Sequence, residues 1–592
     1  MSKKIEWPWS TYQRNIFDFI QHGVGNLVVE ACAGSGKSTT MIKCLDFISS
    51  DKRILLSAFN RDIVSVLHEK VIDSKNIDVS TIHSLGLLML ERNFKDKNIS
   101  VDEFKYKSYI THNINGLSTL DISNLEKRIY YKYINNICKY IDYGRFYLCQ
   151  TEKDLSFIEE RYGIEDVKDE KIIAIQAMNW GKNYFDTVDF TDMVWLPVVL
   201  YCKPIGLLYD WIFVDECQDL SKMQRELLLK CKKINTRMVS FGDPNQCIYT
   251  FAGSDMDSFN ELKNLPNTSF LPLSVSYRCA DKIVDFAKNI VPTIEHNNDK
   301  RVGEISYHTN IDNIQDNDMI LCRNNAPLIK LYGELIKRGR KCHILGKDIG
   351  VNMITTIKNT KKECLNLDMS EDGVFPRLYL DMIIERNDLM RKNNIDITTA
   401  TESAYISNKL DTIHALEILS NGINTAEELI SKINDIFSDK AIEGIQLSTI
   451  HKAKGLESAN VFIACPSLMP SKSAKKNWEK EQEKNLIYVA YTRAKNKLSF
   501  LDESGFETFT CNTQNVINRI NTIEKQLRRL FGNIIKGDVN DVDYAMDIIN
   551  SAKPIKLPKS NTKTINIKEY KPLNTQSLKN ILNKPNITRR KK

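Results

Sequence analysis

No apolar run in the sequence approaches the roughly 20 residues that span a bilayer, and Met1–Ser10 does not read as a secretory leader. The 14 cysteines are scattered, with no Cys-x-x-Cys pair. That argues against a zinc ribbon, an iron–sulfur cluster or a disulfide framework, and for a reducing, intracellular compartment, cytoplasmic or nuclear. The nine histidines contain no His-Glu-x-x-His zinc signature, and no internal repeat is visible. What remains is a chain long enough, at 592 residues, for several domains.

Charge is placed unevenly. The formal net charge is +7, yet Ser551–Lys592 alone holds ten lysines and two arginines against the single acid Glu569. The preceding 550 residues are therefore net negative. The tail is also rich in Asn, Thr and Pro, so it is expected to be disordered and to tether nucleic acid or a protein partner, or to end in a nuclear address at Arg589–Lys592. A solvated tail without a dedicated partner is the plain alternative.

Two short stretches carry chemistry. Ala31–Thr39 (ACAGSGKST) is a phosphate cradle: Ala33, Gly34, Ser35 and Gly36 turn the backbone so that its N–H groups face phosphate oxygens. Lys37 neutralises the terminal phosphates, the Ser38 hydroxyl ligates Mg²⁺, and Thr39 continues into an amphipathic helix whose N-terminus favours an anion. Ala31 stands where the general pattern has glycine. Phe213–Asp219 (FVDECQD) is a strand ending in acids, with Asp215 placed for Mg²⁺ and Glu216 for the attacking water. Together they predict an NTP-hydrolysing engine.

Further strand ends follow. Arg53–Phe59 is followed by Asn60 and Arg61, and Val79–Ser84 carries His83 near its end. Gly242–Gln246 follows the strand Arg237–Phe241 and continues through Gly253. Leu273–Arg278, Ile320–Asn325, Leu447–Glu457, Asn460–Ala464 and Ile487–Leu498 complete the series. Such alternation means α/β layers with sites at strand ends, and the series restarts near Ser276, so two layers are expected.

In order and spacing these stretches resemble the superfamily-1 helicases of the UvrD/Rep/PcrA type, with wording closest to the F-box DNA helicase branch and its viral or phage relatives, from about Trp9 to Leu501. With Gln13 so near Met1, no F-box domain is expected ahead of the motor. The resemblance implies two RecA-like P-loop lobes with parallel sheets, each with a mainly helical insertion. The first lobe is expected over 1–89 and 205–275 with its insertion at 90–204. The second is expected over 276–349 and 442–510 with a shorter insertion at 350–441, and 511–592 is a C-terminal extension. The implied cofactors are ATP and Mg²⁺. Gln13 is implied to read adenine, Tyr277 to stack on it and Glu457 to contact the ribose. Gln246 senses the γ-phosphate, and Arg278 and Arg493 reach it from the second lobe.

Single-stranded and tailed duplex DNA is the implied partner, with Phe59, Tyr249 and Phe251 stacking on bases and Asn60, His83, Thr449 and His451 touching phosphates. Read alone, those aromatics would be core residues and the histidines structural ones. Asp189-Phe190-Thr191-Asp192 resembles a further family signature. Ala252 departs from the pattern, because relatives carry arginine there. The expected activity is ATP-dependent 3′→5′ translocation on DNA that unwinds duplex or displaces protein, with protein partners possible through the second insertion or the tail. An RNA helicase of the same superfamily and an ATP-gated single-strand clamp with little unwinding are the alternatives. A fused nuclease is disfavoured, because no carboxylate cluster with nuclease spacing follows Leu501.

Overall fold

Short, buried, β-branched runs separated by helices can pair in parallel only through crossovers, and the chain does this twice. The computed structural model describes residues 9–58, 76–113, 124–164, 169–250, 253, 257–298, 301–360, 367, 373–438, 443–504 and 513–534. Phe59, Asn60, Phe251, Ala252 and the basic tail lie outside them. The first sheet comprises β1 (Asn26–Ala31), β2 (Ile54–Ala58), β3 (Ile77–Thr81), β4 (Tyr209–Val214), β5 (Lys232–Gly242) and β6 (Thr268–Leu273), in the order β3-β2-β4-β5-β1-β6. All of its pairings are parallel; β1 lies between β5 and β6, with Leu27 opposite both Val239 and Ser269. Leu27, Val28 and Val29 are buried, as a strand covered on both faces requires.

The chain divides after Ser274 into two units. The second unit holds β7 (Glu304–Thr309), β8 (Met319–Cys322), β9 (Cys342–Leu345), β10 (Phe437–Ser438), β11 (Ile445–Thr449), β12 (Ser458–Ile463) and β13 (Ala494–Leu501), all parallel, in the order β7-β13-β12-β8-β11-β9-β10. These are the two parallel α/β layers that the alternation of elements predicts, consistent with the two RecA-like lobes that the resemblance implies. Among the described residues no helix is long and apolar enough to cross a membrane.

Two readings of local structure need correction. Val79–Ser84 is not one extended element: the strand stops at Thr81, whose Oγ1 accepts the Ser84 N–H and caps the helix Ile82–Asn93. His83 therefore stands in the first helical turn, because a threonine side chain at that position satisfies a donor that a continuing strand would leave unpaired. Leu273–Arg278 also divides. Leu273 ends β6, whereas Val275–Ser276 pairs only with Glu295–His296 among the described residues.

Between β3 and β4 the helices Lys105–Asn113, Asn124–Phe146, Glu152–Tyr162, Glu170–Asn183 and Phe190–Val199 pack into one core with the sheet. The Asp-Phe-Thr-Asp signature forms the ionic centre of that packing. Asp189 caps Phe190–Val199 by accepting the Asp192 N–H. Asp192, fully buried, accepts from Lys105 Nζ (2.5 Å), Tyr106 Oη (2.8 Å) and Arg145 Nη1 (2.9 Å), and Arg145 Nη1 also reaches Asp189 at 2.8 Å. Burial pushes the Asp189 carboxyl up to about 6, against the opposing pull of Arg145. Removing one member of such a cluster strands the others. Asp192→Ala is expected to destabilise the first unit by about 3–5 kcal/mol, read as an earlier denaturant transition, whereas a change at an exposed residue such as Lys107 leaves it in place.

Candidate active site

The site is assembled where the strands of the first sheet end. β1 delivers the cradle, in which Gly34 (φ 73°) and Gly36 (φ 80°) adopt left-handed backbone that side-chain-bearing residues disfavour. The helix Lys37–Cys44 starts at once after it. Ser35 is 1 % exposed and its hydroxyl has no hydrogen-bond partner among the described residues, so the cradle holds a buried polar group suited to a further acceptor or donor. Gln13 is buried beside the helix. It accepts the Ser10 N–H through Oε1, and Nε2 donates to Thr40 Oγ1 at 2.9 Å. Thr40 Oγ1 in turn donates to Gly36 O.

β4 supplies the acids and β5 the third carboxylate. Lys37 Nζ lies 2.8 Å from Glu216 Oε1, and Ser38 Oγ donates to Asp215 Oδ2 at 3.2 Å. Glu216 takes left-handed backbone (φ 52°, ψ 43°), a strained state for a non-glycine residue and one that collects at functional sites. Gln218 bridges the two strand ends: Nε2 donates to Glu216 Oε2 at 2.5 Å, and Oε1 accepts the Asp243 N–H at 3.0 Å. Gln246 Nε2 donates to Asp243 Oδ2 at 2.6 Å. Gly242 is required by space, since a Cβ there would stand 2.6 Å from Cys217 Sγ and 2.7 Å from Gln218 Oε1.

The electrostatics are those of a buried acid cluster facing one ammonium. Burial alone would lower the Lys37 pKa, but Glu216, Asp215 and Asp243 outweigh it and hold the ammonium well above its ordinary value. Burial, and the Glu216 charge second, push Asp215 up to about 6; burial does the same to Asp243. Hard oxygens on Ser38 and Asp215 in a pocket with excess negative charge suit a small divalent cation. Among the described residues no three His, Cys, Asp or Glu side chains group to hold a metal alone.

Of the strand-contact candidates in this unit, His83 and Tyr249 are half-buried and follow β3 and β5, on the edge of the sheet that bears the cradle. In the second unit, Arg278 Nε pairs with Glu457 Oε2 at 2.6 Å and Lys495 Nζ with Glu457 Oε1 at 2.6 Å. Burial raises the Glu457 pKa, but Lys495 and Arg278 outweigh it and hold the carboxyl below its usual range. Arg493 is 1 % exposed, and its guanidinium donates to Val489 O, Leu456 O and Thr492 Oγ1. Tyr277 is half-buried, and its carbonyl accepts from Arg301 Nη2 at 2.7 Å. Thr449 ends β11, and burial pushes the nearby His451 imidazole down to about 3.

A family model described as the UvrD/REP helicase N-terminal domain matches residues 11–267, and one described as the UvrD-like helicase C-terminal domain matches residues 444–501. Together they span more than half of the chain. The chain belongs to the UvrD/Rep-like superfamily-1 helicases. It is 24% identical to F-box DNA helicase protein 1 of Schizosaccharomyces pombe, over 86% of this chain and 58% of that one. It is 22% identical to ATP-dependent DNA helicase Rep of Buchnera aphidicola, over 80% of this chain and 92% of that one. It is 25% identical to a probable DNA helicase II homolog of Mycoplasma pneumoniae, over 46% of this chain and 41% of that one. The chain thus spans less than two thirds of two of these relatives.

Within this UvrD/Rep-like chain, residue types alone did not single out Gln218, Asp243 or Lys495. All three lie inside motif stretches, Phe213–Asp219, Gly242–Gln246 and Ile487–Leu498, and for Gln218 an amide two residues after an acid at a strand end was the available signal. The acid cluster sets a pH dependence. A carboxyl whose folded pKa, about 6, exceeds its ordinary 3.8 holds a proton in the folded state that the unfolded state releases. Stability from it is therefore full below about pH 4 and lost as pH rises through 6. Asp215→Asn is expected to raise the melting temperature of the nucleotide-free chain at pH 8 by the equivalent of about 1–3 kcal/mol, and the gain should shrink toward pH 5. A pH-independent difference would contradict the assignment.

Proposed function

We propose that the chain is an ATP-driven motor that moves 3′→5′ on single-stranded DNA and unwinds duplex or displaces bound protein ahead of it. The observation that carries this reading is the hydrogen-bonded series Lys37–Glu216–Gln218–Asp243–Gln246, which joins the cradle to the loop bearing Tyr249. Lys37 exchanges Glu216 for the terminal phosphate oxygens of ATP, and Glu216, so released, orients the attacking water. Ser38 and Asp215 would hold Mg²⁺, which neutralises charge on the phosphates. Gln13 and Tyr277 are assigned to adenine and Glu457 to the ribose. Glu457 gives up Arg278 as it does so, leaving that guanidinium for the γ-phosphate with Arg493. Bases stack on Phe59, Tyr249 and Phe251, while Asn60, His83, Thr449 and His451 take the phosphates, a sequence-tolerant mode that suits a translocating motor.

The first test is ATP turnover by the full chain with and without single-stranded DNA or RNA. DNA is expected to raise turnover strongly and RNA weakly. Lys37→Ala should abolish turnover, and Glu216→Gln should lower it by about 10²-fold or more. Duplexes with a 3′ tail should be opened and those with a 5′ tail left intact. Stimulation by RNA alone would favour the RNA-helicase alternative, and turnover without strand opening would favour the clamp.

A further inference from the structure

The loop that leaves β5 is anchored at two ends of different character. At its start, Gln246 donates to Asp243, and Cys247 Sγ donates to the carbonyl of Gln218, the residue whose side chain donates to Glu216. Farther on it meets the helices Asn124–Phe146 and Glu152–Tyr162 of the insertion. Tyr162 Oη donates to Thr250 O at 3.1 Å. A carbonyl can only accept, so the Tyr162 proton is committed there, and Tyr147, whose Oη lies 2.9 Å from Tyr162 Oη, donates to it.

The Tyr162 ring is fixed from its face. It stacks on Tyr143 with centroids 3.8 Å apart and planes 9° from parallel. The neighbouring Phe146 ring closes on Gly253, where an added Cβ would stand 2.2 Å from a ring carbon. Gly253 also has a φ of 92°, so the close approach and the backbone both need glycine. Thr250 itself is fully buried, and its neighbour Tyr249 is half-buried. Tyr162, backed by Tyr143, and Phe146 thus hold the segment that carries Tyr249, while its first residues bond Asp243 and Gln218 beside the catalytic acids.

We propose that Tyr162 is a positioning residue: through Thr250 O it fixes Thr250 and the adjoining Tyr249, and so lets the helical insertion set how strongly a bound strand stimulates ATP hydrolysis. The proposal rests on the reading of Tyr249 as a strand contact given above. It differs from a purely structural role in what it moves. Basal hydrolysis needs only the cradle and the acids, whereas stimulation needs the loop in register with them.

The test uses the full chain, oligodeoxythymidylate as the strand, and two variants that each remove one hydroxyl. Tyr162→Phe keeps the stack on Tyr143 and loses the bond to Thr250. Tyr147→Phe keeps that bond. Tyr162→Phe is expected to leave basal turnover, its KM for ATP and the melting temperature unchanged, while turnover at saturating oligonucleotide falls about fivefold or more. Tyr147→Phe is expected to stay close to the unaltered chain in both. Full stimulation of Tyr162→Phe would overturn the proposal and leave the motor reading intact. So would an equal loss of basal and stimulated turnover, or the same loss in Tyr147→Phe. An unaltered chain that oligonucleotide fails to stimulate would overturn the motor reading and this proposal with it.

Discussion

The first unit is arranged around one unfavourable electrostatic fact: three carboxylates, Asp215 and Asp243 buried and Glu216 half-buried, crowd at strand ends around a single lysine. Left to itself, such a cluster would take up protons, and Asp215 and Asp243 are shifted in that direction. The fold holds it open by supplying hydrogen bonds from fixed donors. Ser38 and the Glu216 N–H donate to Asp215; Asn245 N–H and Gln246 donate to Asp243. Each of these donors is set by an adjoining strand end, so the parallel sheet with β1 and β4 on either side of β5 is what allows them to converge. A cluster with excess negative charge is primed for cations, which is why a phosphate substrate accompanied by a divalent ion is the natural occupant.

The legible part of this arrangement was the part written in contiguous residues. A phosphate cradle needs its glycines, lysine and serine in one turn, and an acid pair needs to sit at the end of one strand, so both appear as short strings. What stayed hidden depends on partners far apart along the chain. Gln218 matters because Asp243 comes beside it, 25 residues later, and Tyr162 matters because Thr250 comes beside it, 88 residues later. Neither tyrosine nor glutamine announces such a role by type or spacing.

Local misreadings had local causes. Val79-Ser80-Thr81 has the β-branched character of a strand, and that character masked the capping chemistry of Thr81, which turns the following residues into a helix. The Asp-Phe-Thr-Asp stretch was visible as a signature, but its physical content, a cap plus a buried junction with two cations, Lys105 and Arg145, and the phenol of Tyr106, required helices from elsewhere in the insertion.

The second unit shows another side of inserting helices into a sheet. Ile320 and Leu447 of the sheet, Val374, Ile413 and Leu429 of the helices between β9 and β11, and Ile520 of the helix Thr513–Ile534 belong to one uninterrupted apolar core. Asp411 reaches from the helix Ala404–Leu419 to cap Asn325–Lys337 directly after β8, and Glu417 of the same helix ties Tyr379 to Arg519. An apolar core shared in this way has no seam along which its parts could melt separately, so the helices are not an appendage on a self-sufficient sheet but members of the same cooperative folding unit. Dissection of this half of the chain into modules by sequence position would cut through the interior that makes each piece fold.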